Sequence, residues 1–253
     1  MSDKPPGPLA ENARHFHDFV TVLTAGVDRY PHEGRDVLVH DVRVIELPSD
    51  RPEKYPPRTL VGFFDLLQPV KLWDAIRHYL SLPGKAQPAG IYVSVNPVRP
   101  DFLAVADHAF KAKTNGATDA DVLTRNFFFV DADPVRRPAE VSATDDEKAA
   151  ALAVITGVKD DLVTRGFTPP MVVDSGNGYH DWFRVGLPAD DGGKVKELLD
   201  ALSRRHSTGK VKIDVKVANP IRLCKIPGTY ARKGDDRPTR PHRMARILEL
   251  PPC

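Results

Sequence analysis

Residues 126–133, Asn126-Phe127-Phe128-Phe129-Val130-Asp131-Ala132-Asp133, decide how the chain folds. An apolar, aromatic run closing on two acids reads as a strand with a polar end. Downstream, Thr144–Arg165 reads as a helix, with Thr144 and Glu147 at capping-box spacing. Met171–Ser175 is a strand, Gly176-Asn177-Gly178 a tight turn, and Tyr179–Val185 the returning strand. Lys194–Arg205 is a second helix, with Val195, Leu198, Leu199 and Leu202 on one face. Lys210–Val217 is the last strand.

The order β-α-β-β-α-β is that of a ferredoxin-like, or RRM-like, α+β unit. Such a unit makes one antiparallel sheet, strand order 4-1-3-2, with both helices on one face. Alternation sends Phe128, Val130 and Ala132 towards the helices and Phe127, Phe129, Asp131 and Asp133 to the open face. In strand three, Phe183 and Val185 face the helices, and His180, Trp182 and Arg184 the open side. In strand four, Val211, Ile213, Val215 and Val217 face the helices, and Lys212, Asp214 and Lys216 are open. Asp131, Asp133, Asp214, His180 and the glycine turn then converge on one edge, which folding alone does not require.

Upstream, residues 1–10 read as an unstructured N-terminus and residues 11–120 as an N-terminal α/β lobe. That lobe has strands at Val37–Leu47, Leu60–Leu66 and Gly90–Val95 and a short helix at Leu72–Leu80, separated by Pro/Gly clusters. Residues 121–253 form the RRM-like lobe with a basic C-terminal segment. The 253-residue chain is long enough for a real core. It holds no apolar run of membrane-spanning length, and Met1–Leu9 is no secretory signal. Cys224 and Cys253 alone make neither a disulfide framework nor a zinc knuckle, so a reducing, cytoplasmic setting is expected.

The net charge of +2 conceals an asymmetry. Arg204 to Arg246 contains 13 Lys/Arg against three acids, leaving 23 basic and 31 acidic residues elsewhere. A basic third on an acidic body suits a polyanion such as nucleic acid or nucleotide phosphate; a solvated basic tail is the plainer reading.

Asp131 and Asp133 lie on the same side of one strand, with Asp214 on the next. Three hard carboxylates this close repel unless a cation sits between them. Mg²⁺ or Mn²⁺ suits them and shares its shell with substrate phosphates. Two such ions would clamp a phosphoryl or nucleotidyl transfer. A lone D-x-D is mostly a solvated strand end, and it is the third carboxylate that shifts the balance. The glycines of Ser175-Gly176-Asn177-Gly178-Tyr179-His180 allow close backbone approach to an anion, and His180 can donate to a phosphate oxygen; the turn alone is an ordinary hairpin. Arg222 and Lys225, with Arg232 and Lys233 beyond, could grip phosphate.

Phe129-Val130-Asp131-Ala132-Asp133-Pro134, Ser175 to His180, and Asp214 with Asn219-Pro220-Ile221-Arg222 and Pro227-Gly228-Thr229 resemble, in order and spacing, the three motifs of the archaeo-eukaryotic primase superfamily. The resemblance is to primase-polymerases of the phage, plasmid and CRISPR-associated type and covers most of the chain. It implies that superfamily's catalytic core, with the N-terminal lobe covering part of the open sheet face and helping to form the template cleft, and a template-directed DNA primase-polymerase, a nucleotidyltransferase that makes or extends primers. Asp131, Asp133 and Asp214 would match its catalytic metal carboxylates. Ser175 and His180 would hold the incoming triphosphate, with Gly176, Asn177, Gly178 and Tyr179 around them, and Arg222 would match the basic residue after the third motif. Partners would be a single-stranded or primed template, NTPs or dNTPs, and a separate helicase or accessory protein; related proteins often carry a zinc-binding segment, which two cysteines cannot build, and no membrane partner is expected. Two rivals remain. One is a metal-dependent nuclease or rolling-circle replication protein, for which His15 and His17 lie far from the carboxylate strands in sequence. The other is a non-catalytic single-strand-binding module that stacks bases on Phe127, Phe129 and Trp182.

Overall fold

The computed structural model describes residues 9–49, 51 and 54–252. Of the stretch 1–10 expected to be unstructured, residues 1–8 lie outside the described residues, as does Cys253, while Ala10 opens a helix. The first half runs α1 (Ala10–Thr24), β1 (Tyr30–His32), β2 (Arg35–Val37), β3 (Val39–Leu47), β4 (Arg58–Asp65), α2 (Pro69–Leu80), β5 (Gly90–Ser94) and β6 (Lys111–Ala112). The second half runs β7 (Thr124–Pro134), α3 (Asp145–Thr164), β8 (Met171–Asp174), β9 (Tyr179–Pro188), α4 (Lys194–His206), β10 (Val211–Ile213), β11 (Leu223–Lys225), β12 (Tyr230–Ala231), β13 (Arg243–Met244) and β14 (Arg246–Glu249).

β7, β8, β9 and β10 form one antiparallel sheet in the order β10-β7-β9-β8, which is 4-1-3-2 in order of appearance, and β14 adds a fifth strand beside β8. The register pairs Asp131 with His180, Phe129 with Trp182 and Ala132 with Ile213. Ring contacts sort the faces as alternation requires. Phe128, Phe183 and Phe167 meet on the helix side, and Phe127, Phe129, Trp182 and His180 on the other. Helix α3 buries Ala151, Ile155, Val158 and Leu162, one stripe at helical spacing. Its start is a full capping box. Thr144 Oγ1 accepts from Glu147 N at 3.1 Å, and Glu147 Oε2 accepts from Thr144 N at 2.8 Å.

The structure departs from the expectations in three places. The last strand ends at Ile213, not Val217. Asp214 caps a single 3₁₀ turn, Val215–Ala218, because its carboxylate accepts from Lys216 N at 2.9 Å, an Asx-type turn that bends the chain off the sheet. The 120/121 boundary does not separate the sheets. β11 leaves the second half and pairs with β5, giving a sheet ordered β11-β5-β3-β4-β6. Finally, the face expected to be covered in part by the N-terminal lobe is closed over its aromatic residues. Helix α1, whose Phe16, Phe19, Val20 and Leu23 are buried, lies over it, with Phe19 edge-on to Trp182 at 5.4 Å. Phe127, Phe129 and Trp182 are 3%, 3% and 1% exposed and belong to one core that joins both sheets. They cannot present faces to single-stranded bases, which removes the basis of the base-stacking reading.

Asp181, between Val130 and Val172 on the helix face, is fully buried and neither oxygen has a hydrogen-bond partner. Burial pushes its carboxyl well above the usual range. Its folded pKa exceeds the unfolded one, so the folded state binds the extra proton and the wild type loses stability as pH rises from about 4. Asp181→Asn should therefore gain on the wild type with rising pH, by at most about 1.4 kcal/mol per pH unit, in urea titrations at stepped pH. Phe19→Ala should cost about 3–5 kcal/mol in the same assay, since it removes the ring that covers Trp182.

Candidate functional site

The polar strand ends meet the second sheet at a cavity of about 210 Å³. One wall carries Asp131, Asp133 and His180 from β7 and β9, and Ser175 and Asn177 from the glycine turn. The facing wall carries Arg222, Lys225, Arg232 and Lys233. The pairing of β11 with β5 sets Lys225 opposite Tyr92, which also lines the cavity.

The Asp131 side chain is 15% exposed, and its Oδ1 is buried with no hydrogen-bond partner; the nearest cationic candidate, His180 Nε2, stands 3.5 Å away. Burial and then the neighbouring Asp133 push the Asp131 carboxyl well above the ordinary range, while Arg222 pulls it back. His180 is driven the other way, to about 3, by burial and by Arg222, Lys225 and Lys148. At neutral pH it is an uncharged imidazole, with one nitrogen to donate and one to accept; its Nδ1 has no partner. Asp133 meets Arg136 Nη2 at 3.6 Å, and the Nε and Nη1 of that buried guanidinium are unpartnered.

Lys225 is 4% exposed. Its Nζ lies 4.1 Å from the centre of the Tyr92 ring and donates to Tyr230 O at 3.3 Å and to Ala89 O at 3.5 Å. No carboxylate balances it among the described residues. Burial, then Lys233, lowers its ammonium to about 7. Gly90 leaves room for this side chain, since a Cβ there would displace the Lys225 ammonium. The Tyr92 hydroxyl is pushed up to about 12 by burial and by Asp133 and Asp131.

The glycine turn is braced from behind. Asp174 pairs with Lys148 of α3 and accepts from Gly176 N at 2.7 Å. Ser175 Oγ accepts from Gly178 N at 3.1 Å, and Asn177 Oδ1 accepts from Ala143 N at 2.9 Å, tying the turn to the start of α3. Gly176 has φ +92°, and Gly178 abuts the Ala132 carbonyl and Asp133 Oδ1, where no side chain fits.

Not every expected residue joins the cavity. Tyr179 turns to the helix face, its ring 4.3 Å from Lys148 Nζ. Gly176 and Gly178 shape the turn without lining the cavity. Asp214 stays beside Asp131 through its backbone N–H, which donates to Asp131 O at 2.9 Å, but its carboxylate pairs with Arg222 Nη2 at 3.3 Å. Accordingly, no three His, Cys, Asp or Glu side chains among the described residues stand together as a cation cage. Asp131 and Asp133 are nevertheless hard oxygen donors side by side, one with a buried oxygen unused, and they fit a cation that completes its shell from a bound phosphate. His15 and His17 lie on α1. His15 is buried and accepts from Ile247 N, so the pair forms no metal site with the carboxylates.

Much of the basic segment is committed elsewhere. Arg240 grips Glu147 through two bonds at 2.8 and 3.0 Å, Arg243 meets Asp145 at 2.6 Å, and Arg246 meets Glu11 at 3.5 Å. Arg232 donates to Gln87 at 2.6 Å. Tyr92 and Arg136 were not anticipated as site residues. Tyr92 enters only through the pairing of strands distant in sequence, and Arg136 through a bend after β7.

No helix among the described residues is long and apolar enough to cross a membrane. No family model matches the chain, and no curated protein matches its sequence. Among solved structures, the chain is similar to the polymerase domain from Mycobacterium tuberculosis Ligase D in complex with DNA. The two are 14% identical, the match covers 92% of this chain and 80% of that one, and the TM-score is 0.39.

Proposed function

We propose that the chain is a template-directed nucleotidyltransferase, a DNA primase-polymerase that adds NTPs or dNTPs to a single-stranded or primed template. The observation that carries this reading is the opposition of two carboxylates, one with a buried oxygen unpaired, to four cationic side chains across a small cavity. Neither wall satisfies the other directly; a metal–triphosphate, positive at one end and negative along its length, complements both. The motif order in the sequence supports the same assignment.

Asp131 and Asp133 would hold Mg²⁺ or Mn²⁺, joined by Asp214 when Arg222 transfers from that carboxylate to phosphate. The cation, when bound, supplies charge that lowers the barrier to phosphoryl transfer. Arg222, Lys225, Arg232 and Lys233 bind and orient the triphosphate, and neutral His180 offers an N–H to a phosphate oxygen. The primer 3′-hydroxyl then loses its proton to solvent as its oxygen bonds to the α-phosphorus and the bond to pyrophosphate breaks. In priming, a second nucleotide supplies the hydroxyl. The Asp214–Arg222 pair suits such an exchange, since each side chain is 33% exposed and an ion pair so placed is worth about 0–1 kcal/mol.

Asp131→Ala with Asp133→Ala should abolish primer synthesis and extension on a single-stranded template in Mg²⁺ or Mn²⁺ while leaving the protein folded, as a cooperative thermal transition would show. Extension persisting in that variant would sink the assignment, and strand cleavage without nucleotides would favour a nuclease. Lys225 gives a pH test. With its ammonium near 7 in the free protein, it is charged on the acid side and must take up a proton to meet phosphate on the alkaline side. The advantage in triphosphate affinity of wild type over Lys225→Met should shrink between pH 6 and 9, by at most about tenfold per unit above 7. The ratio cancels the ligand's own titration, and calorimetry at stepped pH measures it.

A further inference from the structure

The cationic wall of the carboxylate cavity continues outward along one sheet face. Cross-strand pairing sets Lys225 beside Tyr92, Tyr92 beside Arg43 and Gly90 beside Ile45. The residues that alternate with them, Val42, Val44, Ile91 and Val93, point into the core, so this row lies on the outer face of the first sheet. A groove of about 480 Å³ runs over that face, floored by Ile45, Ile221 and Leu223 and rimmed by Arg43 and Asn219. Its three apolar side chains are half-buried, and Ile45 and Leu223 belong to no apolar core among the described residues. An apolar patch rimmed by polar groups has the form of a ligand groove. Tyr92, Arg222 and Leu223 line both this groove and the carboxylate cavity. Arg222 stands on the shared wall with its Nε buried and without a hydrogen-bond partner.

We propose that the groove is a nucleoside subsite, which takes the sugar and base of the nucleotide whose phosphates fill the cavity and holds them by apolar contact without reading the base edge. The cavity alone, at about 210 Å³, falls below the range of about 300–1,000 Å³ usual for sites that enclose a whole small molecule. A ligand whose phosphates fill it must place its remaining atoms outside, and the groove is the adjoining space that shares three of its residues. The polar rim is engaged elsewhere: Arg43 Nη2 donates to Asp41 at 2.7 Å, and the Asn219 amide donates to Asp119 at 3.4 Å. The floor therefore meets a base through Ile45, Ile221 and Leu223, which distinguish shape and apolar area but not donor from acceptor. The inference rests on the nucleotide reading of the cavity and deepens it.

In protein labelled at isoleucine δ1-methyl groups, the Ile45 signal reports on the groove and is assigned by its loss in Ile45→Val. With Mg²⁺ present, dATP and dCTP should each move that signal saturably, whereas tripolyphosphate should bind and leave it in place. Calorimetry should give the two nucleotides affinities within about tenfold of each other, both about tenfold or more above that of tripolyphosphate. Ile45→Gln, shown folded by its methyl spectrum, should weaken dATP about fivefold or more and leave tripolyphosphate unchanged. Any of four results overturns the subsite while the reading of the cavity stands: dATP binding no tighter than tripolyphosphate, an Ile45 signal unmoved at saturating dATP, a folded Ile45→Gln that weakens neither ligand or both alike, or a preference between the two bases beyond about tenfold. Failure of tripolyphosphate and both nucleotides to bind at all overturns the nucleotide reading itself, and the subsite with it.

Discussion

Three residues of β11, Leu223–Lys225, leave the sheet that holds the acids and pair with Tyr92–Ser94 of the other. This crossing is what sets charge against charge. Without it Arg222 and Lys225 would trail from Asp214 into solvent. With it Lys225 is carried on a strand and pressed against Tyr92, and Arg222, just before that strand, is tied to Val95 N through its carbonyl. The burial that follows shifts both walls towards neutrality, the Asp131 carboxyl upwards and the Lys225 ammonium downwards. A site so poor in solvent holds its polar groups at a cost that a highly charged occupant can offset.

The crossing is possible because the two sheets share one core. An RRM-like sheet left alone would show Phe127, Phe129 and Trp182 to water; here α1 and the first sheet enclose them. Asn96, at the end of β5, fastens the junction. Its Oδ1 accepts from the backbone N–H groups of Asn126 and Phe127 at 2.8 and 3.1 Å, while its amide donates to Pro220 O at 3.0 Å. One side chain thereby links the start of the acidic strand to the loop that carries Arg222.

The second half was legible because its signals are local. A capping box, an Asn-Gly turn and period-two alternation each act over a few residues, and the expected helices and strands form within a few residues of their bounds. Asp214 misled because an alternating Val/Lys pattern continues past it, while its own carboxylate turns the backbone. Cover of the open face by the N-terminal lobe was expected; that α1 supplies it, through Phe16, Phe19, Val20 and Leu23 at helical spacing, follows from the packing. Tyr92, Arg136 and the orphaned carboxyl of Asp181 depend on which distant elements pack together. The basic excess reads as one block in sequence, yet Arg240 and Arg243 serve the start of α3 and only part of the block reaches the cavity.

The outer strands of the acid-bearing sheet are short. β10 has three residues, with exposed Lys212 at its centre, and β14 has four, with a register break between Ile247 and Glu249. Edges this brief and charged give a neighbouring molecule little backbone to pair with. The chain therefore keeps a twisted, aromatic-rich sheet at its centre while offering few handholds for edge-to-edge aggregation, a property that bears on its behaviour at the concentrations needed for study.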